Sequence, residues 1–159
     1  MLKIIGLMLL FCAVASVGVL AGAGLRERVR CLTEFQKIVA QFGIYTQYAH
    51  TDIFETMRRI HANEKSELLG RLLALQSNWN RASVDAALTA GNSTDREIML
   101  DFFTSIGTTD LSGQAAVCAQ AAGRVSAQLA QAKEEWNSKG KMYRSLGLCA
   151  GLAAVIFFV

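Results

Sequence analysis

The sequence predicts an all-α protein: a cytoplasmic bundle of about six helices between an N-terminal transmembrane helix and a short C-terminal membrane helix. Three observations point there. Proline, which breaks helix interiors, is absent from all 159 residues. No stretch alternates apolar and polar residues strictly enough to read as a strand. Hydrophobic residues make up 52% of the chain, high for a small soluble protein, and the excess sits at the two ends.

The first segment, residues 2–25, contains an uncharged run from Ile4 to Leu25. As a helix this run is about 33 Å long at ~1.5 Å per residue, enough to span a bilayer. A cleaved signal peptide is the competing reading, with Lys3 as a short basic start and Ala13-Val14-Ala15 or Ala21-Gly22-Ala23 as cleavage sites. The run is long for a signal core, and Arg26, Arg28 and Arg30 follow at once, a cluster that resists translocation. The segment therefore reads as an uncleaved anchor.

Residues 26–145 read as the helical bundle. The first bundle helix continues out of the anchor to about Tyr48, with Leu32, Phe35, Val39 and Phe42 on one face and Ile38 and Tyr45 widening it. His50-Thr51-Asp52 breaks it, and Thr51 or Asp52 caps a second helix carrying Ile53, Met57 and Ile60. Asn63 reads as the cap of a third, with Leu68, Leu69, Leu72, Leu73 and Leu75. A turn at Asn78 to Arg81 leads to a short fourth helix capped by Ser83 and ended by Gly91-Asn92. Thr94 and Glu97 have the spacing of a capping box for a fifth, which points Ile98, Met99, Phe102, Phe103 and Ile106 inward. Gly107 stops it.

The sixth helix starts at Asp110, and no helix-ending signal follows. Val117, Ala121, Val125, Leu129, Ala132 and Trp136 form its apolar stripe. Residues 146–159 then carry no polar group stronger than Cys149. This stretch gives about 21 Å of helix, short of a full span unless Met142 and Tyr143 join it and Lys141 and Arg144 snorkel outward. An apolar Ile156-Phe157-Phe158-Val159 end favours lipid over a soluble core. The first and last long helices are expected side by side.

Charge gives the topology. Residues 26–37 hold four Lys/Arg against two Asp/Glu, and 133–144 the same, so each flank is +2. Residues 52–124 hold seven against nine, a net −2. Arg26, Arg28, Arg30, Lys139, Lys141 and Arg144 thus mark a membrane boundary beside anionic headgroups. Both basic clusters face the middle of the chain, which puts the bundle in the cytoplasm and both termini outside. With the basic residues confined to these flanks, nucleic-acid binding is excluded as the leading function.

Each apolar segment carries two glycines one turn apart, Gly18 with Gly22 and Gly147 with Gly151. In lipid such pairs let another helix approach closely. Gly22 and Gly18 lie four and eight residues before Arg26, and Gly147 and Gly151 three and seven after Arg144. The chain runs in opposite directions through the two segments, so the motifs share a depth, and we expect antiparallel packing there. Chance glycine content is the competing account.

Catalytic chemistry is sparse. His50 and His61 form no HxxxH or HExxH pair, and no glycine-rich loop offers a phosphate cradle. The four cysteines have no metal-like spacing and read as reduced, small apolar residues. Asp101 lies among Met99, Leu100, Phe102 and Phe103; it reads as a wet-face residue or as the partner of an arginine such as Arg96 or Arg124, with a buried functional acid as the sharper alternative. Trp79 and Trp136 read as core and bundle-edge residues. No cofactor or metal is implied. The residues alone therefore favour a structural or interaction protein. A membrane-anchored regulator or enzyme using Asp101 or Asp110, and a secreted helical protein with a cleaved signal, are the alternatives.

Several stretches resemble a known family: Leu2-Lys3-Ile4-Ile5-Gly6, the exit Leu25-Arg26-Glu27-Arg28-Val29-Arg30, Tyr48-x-x-Thr51 to Ile60, and Leu100-Asp101. So do Ile106-Gly107-Thr108-Thr109-Asp110 followed by Gln114, Lys141 to Arg144, Leu146-Gly147 to Gly151, and the Val155-Ile156 tail. In this order and spacing the chain resembles stage III sporulation protein AB of endospore-forming bacteria over nearly its whole length. The resemblance implies a component of the channel complex between mother cell and forespore. That family is similar to the inner-membrane platform proteins of type II secretion and type IV pilus machines, whose cytoplasmic domains are six-helix bundles. It implies as partner the stage III sporulation protein AA-type ATPase on the mother-cell side, alongside other channel components and lipid, with a homo-oligomer left open. It makes Asp101, Asp110 and Gln114 candidate partner contacts. The chain departs from the family pattern at Gly43, where an acidic residue is usual, and at Asp52-Ile53, where prolines are common; 77–91 matches least.

Overall fold

Among the described residues, the computed structural model contains six α-helices and no strand. Those residues are 2–48, 52–88, 92–106, 111–140 and positions 108, 142, 145 and 149; for 2–21, 47, 48 and 111 the backbone alone is described. The helices are α1 (Leu2–Tyr48), α2 (Ile53–Glu64), α3 (Glu67–Leu73), α4 (Arg81–Ala87), α5 (Ser93–Ser105) and α6 (Leu111–Glu135). A 3-10 turn, Gln76–Asn78, precedes α4, and a π turn, Trp136–Gly140, follows α6. The chain divides into two compact units, Arg30–Leu129 and the pair Met1–Val29 with Ala130–Val159.

The α1 backbone is helical through the predicted anchor, whose side chains up to residue 21 lie outside the described set. Apart from Cys149, the predicted C-terminal membrane segment, 146–159, lies outside it too. Among the described residues no helix is long and apolar enough to cross a membrane.

The helix starts follow capping chemistry, but at other residues than the sequence spacing predicts. The third helix is capped by Ser66, not Asn63: Ser66 Oγ accepts from the Leu69 N–H at 3.2 Å. Asn63 is absorbed into α2, which ends at Lys65 in a left-handed conformation (φ 49°) with its N–H donating to the His61 carbonyl at 2.8 Å. The fourth is capped by Asn80, not Ser83. Asn80 Oδ1 accepts from the Ser83 N–H at 2.8 Å while Ser83 Oγ accepts from the Asn80 N–H at 3.1 Å, a reciprocal box in which Ser83 is the inner partner. That helix ends at Ala87, ahead of the predicted Gly91-Asn92 stop. The fifth is capped by Asn92, whose side chain accepts from the Thr94 N–H at 3.0 Å, in place of the Thr94–Glu97 box. Asparagine and serine rank alike as caps, so rank alone does not choose between Asn80 and Ser83; in both helices the asparagine nearer the N-terminus takes the end. Asp52 does sit at the N-cap of α2, but its side chain makes no capping bond. Asp110, the predicted start of the sixth helix, lies outside the described residues.

The core of Arg30–Leu129 is built from the faces that the 3.6-residue spacing predicts. On α1, Leu32, Phe35, Ile38, Val39 and Phe42 are each at most 1% exposed, and on α5 Ile98, Met99, Phe102, Phe103 and Ile106 are all buried. Phe102 is the hub: its ring centroid lies 5.5 Å from Phe35, 5.5 Å from Phe42 and 5.2 Å from Phe103, all edge-on. Edge-to-face pairs of this kind add ~0.5–1.5 kcal/mol each beyond their burial. Met57 and Ile60 of α2 and Leu68, Leu69 and Leu72 of α3 close the core, while Leu73 and Leu75 are only half-buried. On α6, Ala121, Val125 and Leu129 are buried and Val117 half-buried, and Cys118 joins the buried set; in the other unit Ala132 of α6 is buried and Trp136 of the π turn half-buried. Cys118 packs beside Gly43 of α1, where an added Cβ would stand 3.9 Å from its own. The two long helices are thus neighbours at this level. Burial pushes the Cys118 thiol above its ordinary pKa, against a hydrogen bond with Thr46 that lowers it.

Candidate functional site

The predicted partner-contact residue Asp101 lies on the half-exposed flank of α5. Its carboxylate is shared by two arginines from other helices: Arg124 of α6 at 3.3 Å and Arg81 of α4 at 3.6 Å. The reading of Asp101 as an arginine's partner holds for Arg124. Arg96 is instead bound to Asp85, at 2.7 Å to the carboxylate and 2.8 Å to the backbone carbonyl. All these side chains are substantially exposed, so each pair contributes at most ~1 kcal/mol. A cavity of about 210 Å³ opens beside Asp101, floored by Phe102 and Ala121. The arrangement links α4, α5 and α6 at the surface.

Gln114, the second candidate, lies on α6 at a groove of about 380 Å³. The groove is bordered by Asp52 and Phe54 from the start of α2, Trp79 from the α3–α4 connection, and Thr104, Ile106 and Thr108 from the end of α5. Phe54 and Trp79 meet edge to face with centroids 5.2 Å apart. Sequence reasoning missed this aromatic pair, because 25 residues of chain separate its members and neither belongs to a strong periodic face. Asp110 lies outside the described residues. A third groove, about 460 Å³, runs between α1 and the α2–α3 corner and is lined by Arg30, Lys37 and Lys65 against Glu34, Glu64 and Glu67. At its floor Ser66 Oγ donates to Glu34 at 2.5 Å, so one hydroxyl joins the α3 cap to α1.

Of the predicted boundary charges, Arg26, Arg30 and Lys139 are exposed and Arg28 is half-buried. Within the unit that contains both, Arg28 Nη1 donates to Glu135 Oε2 at 3.0 Å. A hydrogen bond from Gln131 does most to hold the Glu135 carboxyl below its ordinary pKa; burial opposes it, and Arg28 and Lys139 lower it further. Lys141 and Arg144 lie outside the described residues, as do Gly147 and Gly151 and the Gly18 surroundings. Gly22 is buried, and its described neighbour is the Trp136 ring, 3.8 Å from where a Cβ would stand. The same ring covers Gly140, where a Cβ would come within 2.9 Å. Glycine at 140 therefore lets the helix widen into the π turn around Trp136, a feature the helical spacing does not signal.

Of the two histidines, His61 is engaged within the bundle. His50 lies outside the described residues; His61 Nδ1 is 2.8 Å from the Ser66 carbonyl, and its ring fills the space beside Gly70. Among the described residues no three His, Cys, Asp or Glu side chains converge as metal ligands.

Among the described residues, the polar features of this helical bundle are surface ion pairs and open grooves. The family model of stage III sporulation protein AB matches residues 3–159, and the chain belongs to that family. No curated protein and no solved structure matches the chain. Membership supports a sporulation-related role, and the family is not a known enzyme family.

Proposed function

We propose that this protein is a non-enzymatic platform of the sporulation channel complex, anchored in the mother-cell membrane around the forespore. In this reading the bundle faces the cytoplasm, both termini lie outside, and the protein couples an ATPase of the stage III sporulation protein AA type to the membrane assembly. The observation that carries the proposal is the family match over residues 3–159, which takes in both apolar ends as well as the helical middle. The charge pattern supports the orientation: both basic clusters flank the bundle side of the apolar segments. Two polar contacts that join helices, Arg81–Asp101–Arg124 and Ser66–Glu34, support a mechanical role for the bundle.

The test is co-purification of the full chain, in membranes of sporulating cells, with the ATPase. The expected result is retention of the ATPase by the intact protein and its loss from the membrane fraction when the protein is deleted. Unchanged membrane retention of the ATPase in the deletion strain would remove the coupling role. Protease protection tests the orientation: the bundle is expected to be cleaved only when the cytoplasmic side is opened.

A further inference from the structure

We propose that the π turn Trp136–Gly140 is a register device: it holds one residue more than an α-helical turn, and that residue sets the rotation at which the chain leaves its contact with α1. The burial pattern carries the inference. An α-helix returns to the same face after about seven residues, two turns. Ala132 of α6 is 1% exposed, so an uninterrupted helix would bring Lys139 beneath it on the inward line. Instead Lys139 is exposed and Gly140 is buried. The inward line has moved on by one residue across the turn. An ammonium on that line would also lose hydration, which favours the register with glycine there.

The contacts around the turn hold it in this form. Just before it, Arg28 Nη1 of α1 donates to Glu135 Oε2 at 3.0 Å, which fixes the face that the helix presents to α1 as the turn begins. Within it, the Trp136 ring lies over Gly140, where a Cβ would stand 2.9 Å from ring carbon Cε3 and 3.3 Å from Cζ3. The same ring reaches Gly22 of α1, 3.8 Å from the position of a Cβ there. Ser138 Oγ donates to the Glu134 carbonyl at 2.9 Å and ties the turn back to α6. One residue corresponds to about 100° of helix rotation. The turn therefore makes the orientation of the chain at Gly140 independent of the register that packing imposes on α6. This stands whether or not the platform role proposed above does.

The test uses the full chain in detergent micelles, with Trp79→Phe leaving Trp136 as the single tryptophan. Deletion of Asn137, an exposed residue of the turn, removes the extra residue and leaves an α-helix with Gly140 still on the inward line. The expected result is an unchanged urea unfolding midpoint. Deletion of Ala122, exposed in the middle of α6, has no spare residue to absorb it and is expected to lower the midpoint or prevent folding. Gly140→Ala keeps the length and forces the ring aside; it is expected to shift Trp136 emission to the red and to raise quenching by acrylamide about twofold. Equal effects of the two deletions, or Trp136 emission and quenching unmoved by Gly140→Ala, overturn the proposal.

Discussion

Helices α5 and α6 are both amphipathic and both packed in the bundle, but they are held in different ways. Over 13 residues α5 buries Ile98, Met99, Leu100, Phe102 and Phe103, large side chains that meet Phe35 and Phe42 of α1. Over 25 residues α6 buries mostly small ones, among them Cys118, Ala121, Val125 and Ala132. The outward side of α6 is also small: Ala115, Ala119, Ala122, Gly123 and Ala127 are half-exposed or exposed. Thus α5 is fixed by the volume it fills, and α6 by how closely its backbone approaches its neighbours, as where Cys118 meets Gly43. The two modes fail differently. Removing atoms should hurt α5 most, whereas adding them should hurt α6.

The largest effect is expected at the aromatic hub. Phe102→Ala removes three ring contacts and leaves a cavity, at a cost of about 3–5 kcal/mol, read as a fall in the urea unfolding midpoint of the full chain in micelles. The matching insult to α6 is enlargement. Cys118→Leu at a 5% exposed position beside Gly43 is expected to cost about 1–3 kcal/mol, while the deletion Val125→Ala costs about 2 kcal/mol. If Cys118→Leu were neutral, the close approach of α6 would be wrong and the seam would be loose.

A stabilising change comes next in size. Gly123 lies mid-helix with nothing within 4 Å of where a Cβ would stand, so Gly123→Ala is expected to raise stability by about 0.5–1 kcal/mol. The capping assignments are of similar size: Asn92→Ala should cost about 1 kcal/mol and Thr94→Ala much less, the reverse of what a Thr94–Glu97 box requires. Smallest are the surface pairs; Asp101→Asn should change stability by under ~1 kcal/mol, and a larger loss would mean that Arg81 and Arg124 serve a structural role beyond an exposed pair.

The Cys118 thiol gives the comparison a pH arm. Its pKa is raised in the fold, so folding favours the protonated form. That contribution is complete below the unfolded thiol's pKa and is lost as pH rises through the higher folded value. In a variant that keeps Cys118 as its single cysteine, alkylation is therefore expected to accelerate at higher pH than that of a free thiol in solution. Equal pH profiles would show that the α1–α6 seam opens on the labelling timescale.

Much of the architecture is legible along the chain. A buried face needs apolar residues three and four apart, and that spacing is local, so Leu32 to Phe42, Ile98 to Phe103 and Ala121 to Ala132 are readable before any packing is known. Helix ends are less so. Asn80 and Ser83, or Asn92 and Thr94, are both competent caps, and the choice depends on where neighbouring turns close. The π turn at Trp136 depends on a ring finding room over Gly140 and Gly22, of which one lies more than a hundred residues away.

Amino-acid order alone thus decides the helical class, the inward faces and the family. Tertiary packing decides which charges meet and which surfaces stay open. Asp101 shows the limit: its neighbours in sequence mark it as an amphipathic boundary residue, while its partners Arg81 and Arg124 come from two other helices. The Asp52–Trp79 groove shows it again. Its carboxylate, rings and hydroxyls come from separated segments, because a groove is made by the gaps between packed helices and no local pattern encodes a gap.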